Sequence, residues 1–227
     1  MDVHRIHGYE RESWGYYGDA ARAYGRAAEI MPNFTFLYVK IGVNYRQLKQ
    51  YERALEYFVK ATDINEQMGI MDPIPYLAIG KTYSRMGEFF IAARNVEKVL
   101  EYDPDNPDIY GTLGMIYFKS RNYEGAIEAL KCATYGCSAE ESCSVRFCED
   151  GSEPVVVPGI PLTSTTVIYY YTYGSVLAGM HRTYNDYCRE AMSVLSDVRA
   201  DFASEPVIMQ IVDASEEICI SYGYARQ

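Results

Sequence analysis

"YERALEYFVKATDIN", residues 51–65, sets Ala54, Phe58 and Ala61 at intervals of four and three, one helical stripe that reads small, large, small. Small residues admit a second helix at close range, and the aromatic side chain between them needs a gap in that helix to enter. The stripe returns in "DAARAYGRAAEIMP" (residues 19–32), "IAARNVEKVLEYDP" (91–104) and "GAIEALKCATYG" (125–136), at a period of roughly 34 residues. Upstream of the last three copies lies a companion pattern: an aromatic residue, an aliphatic one followed by glycine, then tyrosine. Its instances are Tyr38, Ile41, Gly42 and Tyr45; Tyr76, Ile79, Gly80 and Tyr83; and Tyr110, Leu113, Gly114 and Tyr117.

Glycine inside a helix costs up to about 1 kcal/mol relative to alanine, so its recurrence at Gly42, Gly80 and Gly114 implies a close backbone approach that offsets the cost. Ala54, Ala92 and Ala126 supply the small residues on the second helix. Each pair buries only part of its apolar face and must stack on the next. These segments resemble tetratricopeptide repeats, whose signature carries an aromatic, Leu-Gly, Tyr, Ala, an aromatic, Ala and a terminal Pro at those spacings. The resemblance implies an all-α, right-handed superhelical solenoid of antiparallel helix pairs that binds other proteins. Because little of a catalytic constellation is present in the sequence, no enzymatic role is expected.

The cadence divides the chain into four repeats over 1–136, an acidic Cys- and Pro-containing insertion over 137–162, a degenerate fifth repeat over 163–203, and a capping helix and tail over 204–227. The first repeat departs from the pattern, with His7 and Arg11 where Leu and Tyr are expected. "NEQMGIMD" adds residues between the second and third repeats. In the fifth, Ser164 or Thr165 is the expected N-cap, and Cys188 or Tyr187 takes the small-residue slot. The last helix should pack through one face holding Val207, Ile208, Ile211, Ala214, Ser215 and Ile218.

A formal charge of −10 and a pI near 4.8 argue against nucleic-acid or anionic membrane surfaces, because phosphate binding needs clustered cations. No run approaches the roughly 18 apolar residues of a membrane span, and the first residues lack the apolar core of a signal peptide. The chain reads as intracellular, cytoplasmic or nuclear. Cys132, Cys137, Cys143, Cys148, Cys188 and Cys219 are then expected as free thiols. A zinc site at the first four has poor ligand spacing, so no metal and no cofactor is expected. The histidines, His4, His7 and His181, stand in no nucleophile motif.

Function therefore falls to the concave face, which in the resembling family is lined by the first helix of each pair. The mapped positions are Phe36, Val39, Lys40, Val43 and Arg46; Leu77, Lys81 and Arg85; and Met115, Phe118 and Lys119, with Asp108, Gly111 and Thr112 alongside. Basic residues dominate this set in an acidic protein. It fits a protein or peptide segment carrying carboxylates or phosphates, although cations at helix ends are expected for the dipole alone. Three readings follow: an interaction scaffold within a multi-subunit complex, a co-chaperone adaptor for an acidic C-terminal peptide, and a metal- or redox-regulated module using the cysteines. The second fits poorly, because the clamp positions hold Arg5, Tyr9, Lys40, Ile74 and Ala78. The insertion, with Glu140, Glu141, Glu149, Asp150 and Glu153, either lies against Lys81, Arg85 and Lys119 or is a solvated loop. Oligomeric state has no signature in the sequence.

Overall fold

A computed structural model describes residues 2–148 and 153–226; Glu149 and Asp150 of the acidic insertion lie outside the described residues. It is all-α, with two isolated β-bridges, and it divides into two compact units, Met1–Asp103 and Pro104–Gln227. The first holds α1 (Asp2–Ser13), α2 (Tyr17–Ile30), α3 (Thr35–Gln47), α4 (Tyr51–Met68), α5 (Ile74–Met86) and α6 (Phe89–Tyr102). The second holds α7 (Pro107–Lys119), α8 (Tyr123–Thr134), α9 (Ala139–Arg146), α10 (Val167–Met180), α11 (Cys188–Phe202) and α12 (Pro206–Ser221).

In the first unit each helix packs on its successor from α1 to α6, and the contacts are those the opening stripe requires. Ala54, Phe58 and Ala61 are fully buried. A Cβ on Gly42 would stand 2.5 Å from the Phe58 ring, and one on Gly80 would stand 2.7 Å from Val96 and 3.0 Å from the Ala92 carbonyl oxygen. The inserted "NEQMGIMD" lengthens α4 to 18 residues, and Gly69, at φ 65°, ends it in a left-handed C-cap. The degenerate first helix still obeys the packing rule: Gly8 of α1 lies against the Tyr24 ring. His7 and Arg11 leave the core instead, the Arg11 Nε donating to His7 Nε2 at 3.1 Å.

The second unit corrects several expectations. All six cysteines are paired, Cys132–Cys137, Cys143–Cys148 and Cys188–Cys219, with Cα separations of 4.7, 5.0 and 5.4 Å. Those separations fall in the range a disulfide can span, so the free-thiol reading is overturned. No thiolate remains for the zinc reading. The chain bends back after α8 at Gly136, which brings the first pair together, and the left-handed C-cap Phe147 turns the chain after α9 so that Cys148 returns to Cys143 within the helix. Within the insertion Ser138 and Glu141 cap α9 reciprocally. Val157 and Cys137 exchange backbone hydrogen bonds, Ser142 donates to the Val155 carbonyl, and Val157 is buried. Glu141 pairs with Lys131 of α8 at 2.5 Å. The described parts of the insertion, 137–148 and 153–162, are folded onto their own unit.

The small-residue slot of the fifth pair is Ala191, not Cys188 or Tyr187: Ala191 is fully buried, and four residues on Leu195 lies 2.7 Å from where a Gly174 Cβ would be. The longer turn "HRTYNDY", closed by an Arg182–Asn185 bridge, displaces the second helix by five residues relative to the other pairs. Thr166, not Ser164 or Thr165, precedes α10, and its hydroxyl is held by Thr163 and the Pro161 carbonyl. The inward face of α12 overlaps the expected one at Ser215, with Ile208 and Ile211 half-buried, but is turned from it. Val212, Ser215, Glu216 and Cys219 are buried, while Val207 and Ile218 are 74% and 40% exposed. The disulfide to Cys188 fixes Cys219 inward. Glu216 follows because Arg199 of α11 donates to it at 2.8 Å. Among the described residues no helix is long and apolar enough to cross a membrane.

Candidate functional site

In the first unit the candidate face is built by α3 and α5. Both helices bury the residues of the repeat signature, Tyr38, Ile41 and Gly42 on α3 and Ile79 and Gly80 on α5. The intervening positions are thereby turned toward the face. Phe36 is 41% exposed and stacks on Phe34 at 5.6 Å between ring centroids. Val39 and Val43 are only partly exposed, since both also pack on buried clusters of this unit. Leu77 is half-buried, and Ile74, one turn before it, is 57% exposed.

The cations on this face are not equivalent. Lys40 donates to both carboxylate oxygens of Glu12 at 3.3 and 3.0 Å, and the Tyr24 hydroxyl donates to the same group at 2.9 Å. Burial, followed by the Glu12 contact, raises the Tyr24 hydroxyl far above its ordinary value. Lys40 is thus neutralised within the unit. Arg46, in the last turn of α3, reaches across to α5, where Nη1 donates to the Ala78 carbonyl at 3.2 Å. Its guanidinium lies 5.7 Å from the Phe58 ring centroid. Burial and the nearby Arg85 cation push Arg46 down to about 10. Lys81 is half-buried and Arg85 is exposed, in the last turn of α5.

A neighbouring hollow of about 230 Å³ is lined by Arg5, Ile6, Tyr9, Tyr24 and Phe36. Sequence reasoning missed Glu12 and this hollow, because both depend on the helix that departs from the repeat signature. Glu12 sits four residues after Gly8, on the same side of α1; only the packing of Gly8 on Tyr24 reveals that this side faces α2 and α3.

In the second unit Met115 and Phe118 are half-buried and Lys119 is exposed on α7; Phe118 lies 6.3 Å from the Tyr123 ring. The other mapped positions of this helix are covered. Tyr169 of α10 lies over Gly111, where a Cβ would come within 2.6 Å of its ring, and donates to Asp108 at 2.8 Å. Gly111 and Thr112 are buried, so the α7 face is open only near its C-terminal end. Among the described residues no group of three His, Cys, Asp or Glu side chains is arranged to hold a metal ion.

Residues 37–68 and 92–133 each match a family model described as tetratricopeptide repeat. Among curated proteins the chain is 27% identical over 111 residues to the BBSome complex member BBS4 of Bos taurus, covering 49% of this chain and 20% of that protein. It is 29% identical over 115 residues to the anaphase-promoting complex subunit CDC16 of Saccharomyces cerevisiae, covering 48% of this chain and 13% of that one. The chain therefore spans a fifth or less of these relatives' lengths. Among solved structures it is similar in fold to YrrB, a tetratricopeptide-repeat protein with an unusual peptide-binding site, at a TM-score of 0.58 and 16% identity, covering 86% of this chain and 82% of that one.

Proposed function

The chain carries tetratricopeptide repeats, and from that premise we propose that it is a non-enzymatic scaffold that binds a segment of another protein as one component of a multi-subunit assembly. One observation carries the reading: the α3–α5 face keeps apolar side chains at its surface, Phe36 at 41% and Ile74 at 57% exposure, beside Leu77 and a row of cations. Such a surface suits an extended or helical segment that inserts apolar side chains and presents polar ones to the rim. The relatives support it, since BBS4 and CDC16 are both named as members of complexes.

The co-chaperone alternative is weaker. Lys40 is the one clamp position here that holds a lysine, and Glu12 already occupies it, while Ile74 and Ala78 offer no polar side chain to a terminal carboxylate. The free-thiol expectation followed from the cytoplasmic or nuclear placement, and with it that placement loses its one testable consequence. Three disulfides favour an oxidising compartment.

Affinity capture with the immobilised chain, followed by mass spectrometry, tests the scaffold reading. A stoichiometric protein partner is expected, lost with Leu77→Glu and retained with Lys60→Ser, a change on the exposed side of α4. Absence of any such partner, or equal loss with both variants, overturns it.

A further inference from the structure

Among the four cations of the α3–α5 face, Lys40, Arg46, Lys81 and Arg85, the contrast lies between Lys40 and the two arginines. Lys40 is held by Glu12. Arg46 and Arg85 meet no carboxylate among the described residues, and each lies within electrostatic reach of the other. Arg46 Nε is buried with no hydrogen-bond partner. A guanidinium drawn from water without a counter-ion is a costly arrangement, and like charge beside it raises the cost.

Helix-dipole compensation does not account for it. A cation serving the C-terminus of α3 would bond the terminal carbonyls of that helix, whereas Arg46 donates to Ala78, in the middle of α5. That carbonyl already accepts the Thr82 hydroxyl at 2.7 Å besides its helical N–H. It is a crowded, neutral acceptor, and a carboxylate would be a far stronger one.

We infer that Arg46 and Arg85 form a binding site for a side-chain carboxylate of a polypeptide partner, bridged between the two guanidinium groups beside the last turns of α3 and α5. The inference rests on the scaffold reading and names the chemistry of what the scaffold holds. A carboxylate is favoured over a phosphate because Arg46 is largely withdrawn from solvent, and a monoanion costs less to desolvate there than a phosphate dianion. Ile74 and Leu77, on the preceding turns of α5, lie on the same helix to receive apolar neighbours of the acidic residue. The lowered affinity of Arg46 for its proton agrees with a cation awaiting an anion.

The arginine Nε–H resonances of the intact chain report on the site. Sodium acetate, sodium chloride and sodium phosphate are titrated separately at constant ionic strength. The Arg46 Nε–H signal is expected to move saturably with acetate and not with chloride, and Arg85→Gln, a change at an exposed position that leaves the core intact, should weaken the acetate response about tenfold. Tighter binding of phosphate than acetate would overturn the carboxylate assignment in favour of a phosphorylated segment. An acetate response equal to that of chloride, or undiminished in Arg85→Gln, would overturn the site itself. Partner capture separates this failure from the other: a partner retained equally by wild type and Arg85→Gln sinks the site and leaves the scaffold, whereas no captured partner sinks both.

Discussion

The fit of helix on helix is open to a test of sign at two glycines of the same unit. Gly25, on α2, has nothing within 4 Å of an added Cβ. Gly25→Ala should therefore gain helix propensity and lose unfolded-state freedom with no opposing contact, a stabilisation of about 0.5 to 1 kcal/mol. Gly80→Ala carries the same intrinsic gain, but its Cβ would stand 2.7 Å from Val96 Cγ2 and 3.0 Å from the Ala92 carbonyl oxygen. Val96 is β-branched and fully buried, so its methyl cannot swing aside, and the Ala92 oxygen belongs to the backbone of α6. The two helices must separate by several tenths of an ångström, at the roughly 1 to 3 kcal/mol typical of overpacking. Set against the propensity gain of about 1 kcal/mol, the net expectation is a loss of about 1 kcal/mol. Urea titrations followed by circular dichroism should shift the midpoint up for Gly25→Ala and down for Gly80→Ala. If both variants are stabilised, α5 and α6 do not meet at Gly80 and the packing argument fails.

Thiol titration of the denatured, unreduced protein should find no reactive cysteine; six thiols would refute the pairing. Replacing Cys188 and Cys219 together by alanine opens the longest disulfide-closed loop, with a sequence separation of 31, and should lower stability by about 3 to 4 kcal/mol in the chain-entropy account. Glu12→Gln should cost about 1 to 2 kcal/mol, because it weakens the acceptor shared by Lys40 and Tyr24 at a partly buried site; an unchanged midpoint would detach α1 from α3. Burial holds the hydroxyls of Tyr24, Tyr169 and Tyr173 above the ordinary value of 10.0. Above about pH 10 the unfolded chain releases protons that the folded one retains, so the stability present below that pH is progressively lost as pH rises. Tyrosinate absorbance should show these groups ionising only as the protein unfolds, and three normal titrations in the folded state would contradict the burial.

The repeat register was legible in the sequence because each slot is a local steric demand. Glycine on one helix and a large residue on the next, as at Gly42 and Phe58, repeat at a fixed spacing whatever the rest of the chain does. The same rule would have placed Ala191 in the fifth pair had the longer turn before α11 been allowed for, since Leu195 follows it by four. The same inward turn of the signature residues places Phe36, Leu77 and Arg46 elsewhere on their helices, as the mapping expected of their positions alone.

What the sequence left undetermined depends on groups far apart along the chain. The charge of Lys40 is cancelled by Glu12, 28 residues earlier, and Tyr169 closes the α7 face from 61 residues beyond Asp108. Neither meeting has a periodic signal, because a hydrogen bond between unique side chains imposes no repeat. The inward face of α12 was misjudged on hydrophobicity alone; Cys219 and Glu216 face inward because a disulfide and an arginine wait there. Local periodicity thus determined which helices pair and through which residues, while tertiary structure alone decided which charges are cancelled inside the protein and which remain for a partner, since charge compensation depends on distance in space and not on position in the chain.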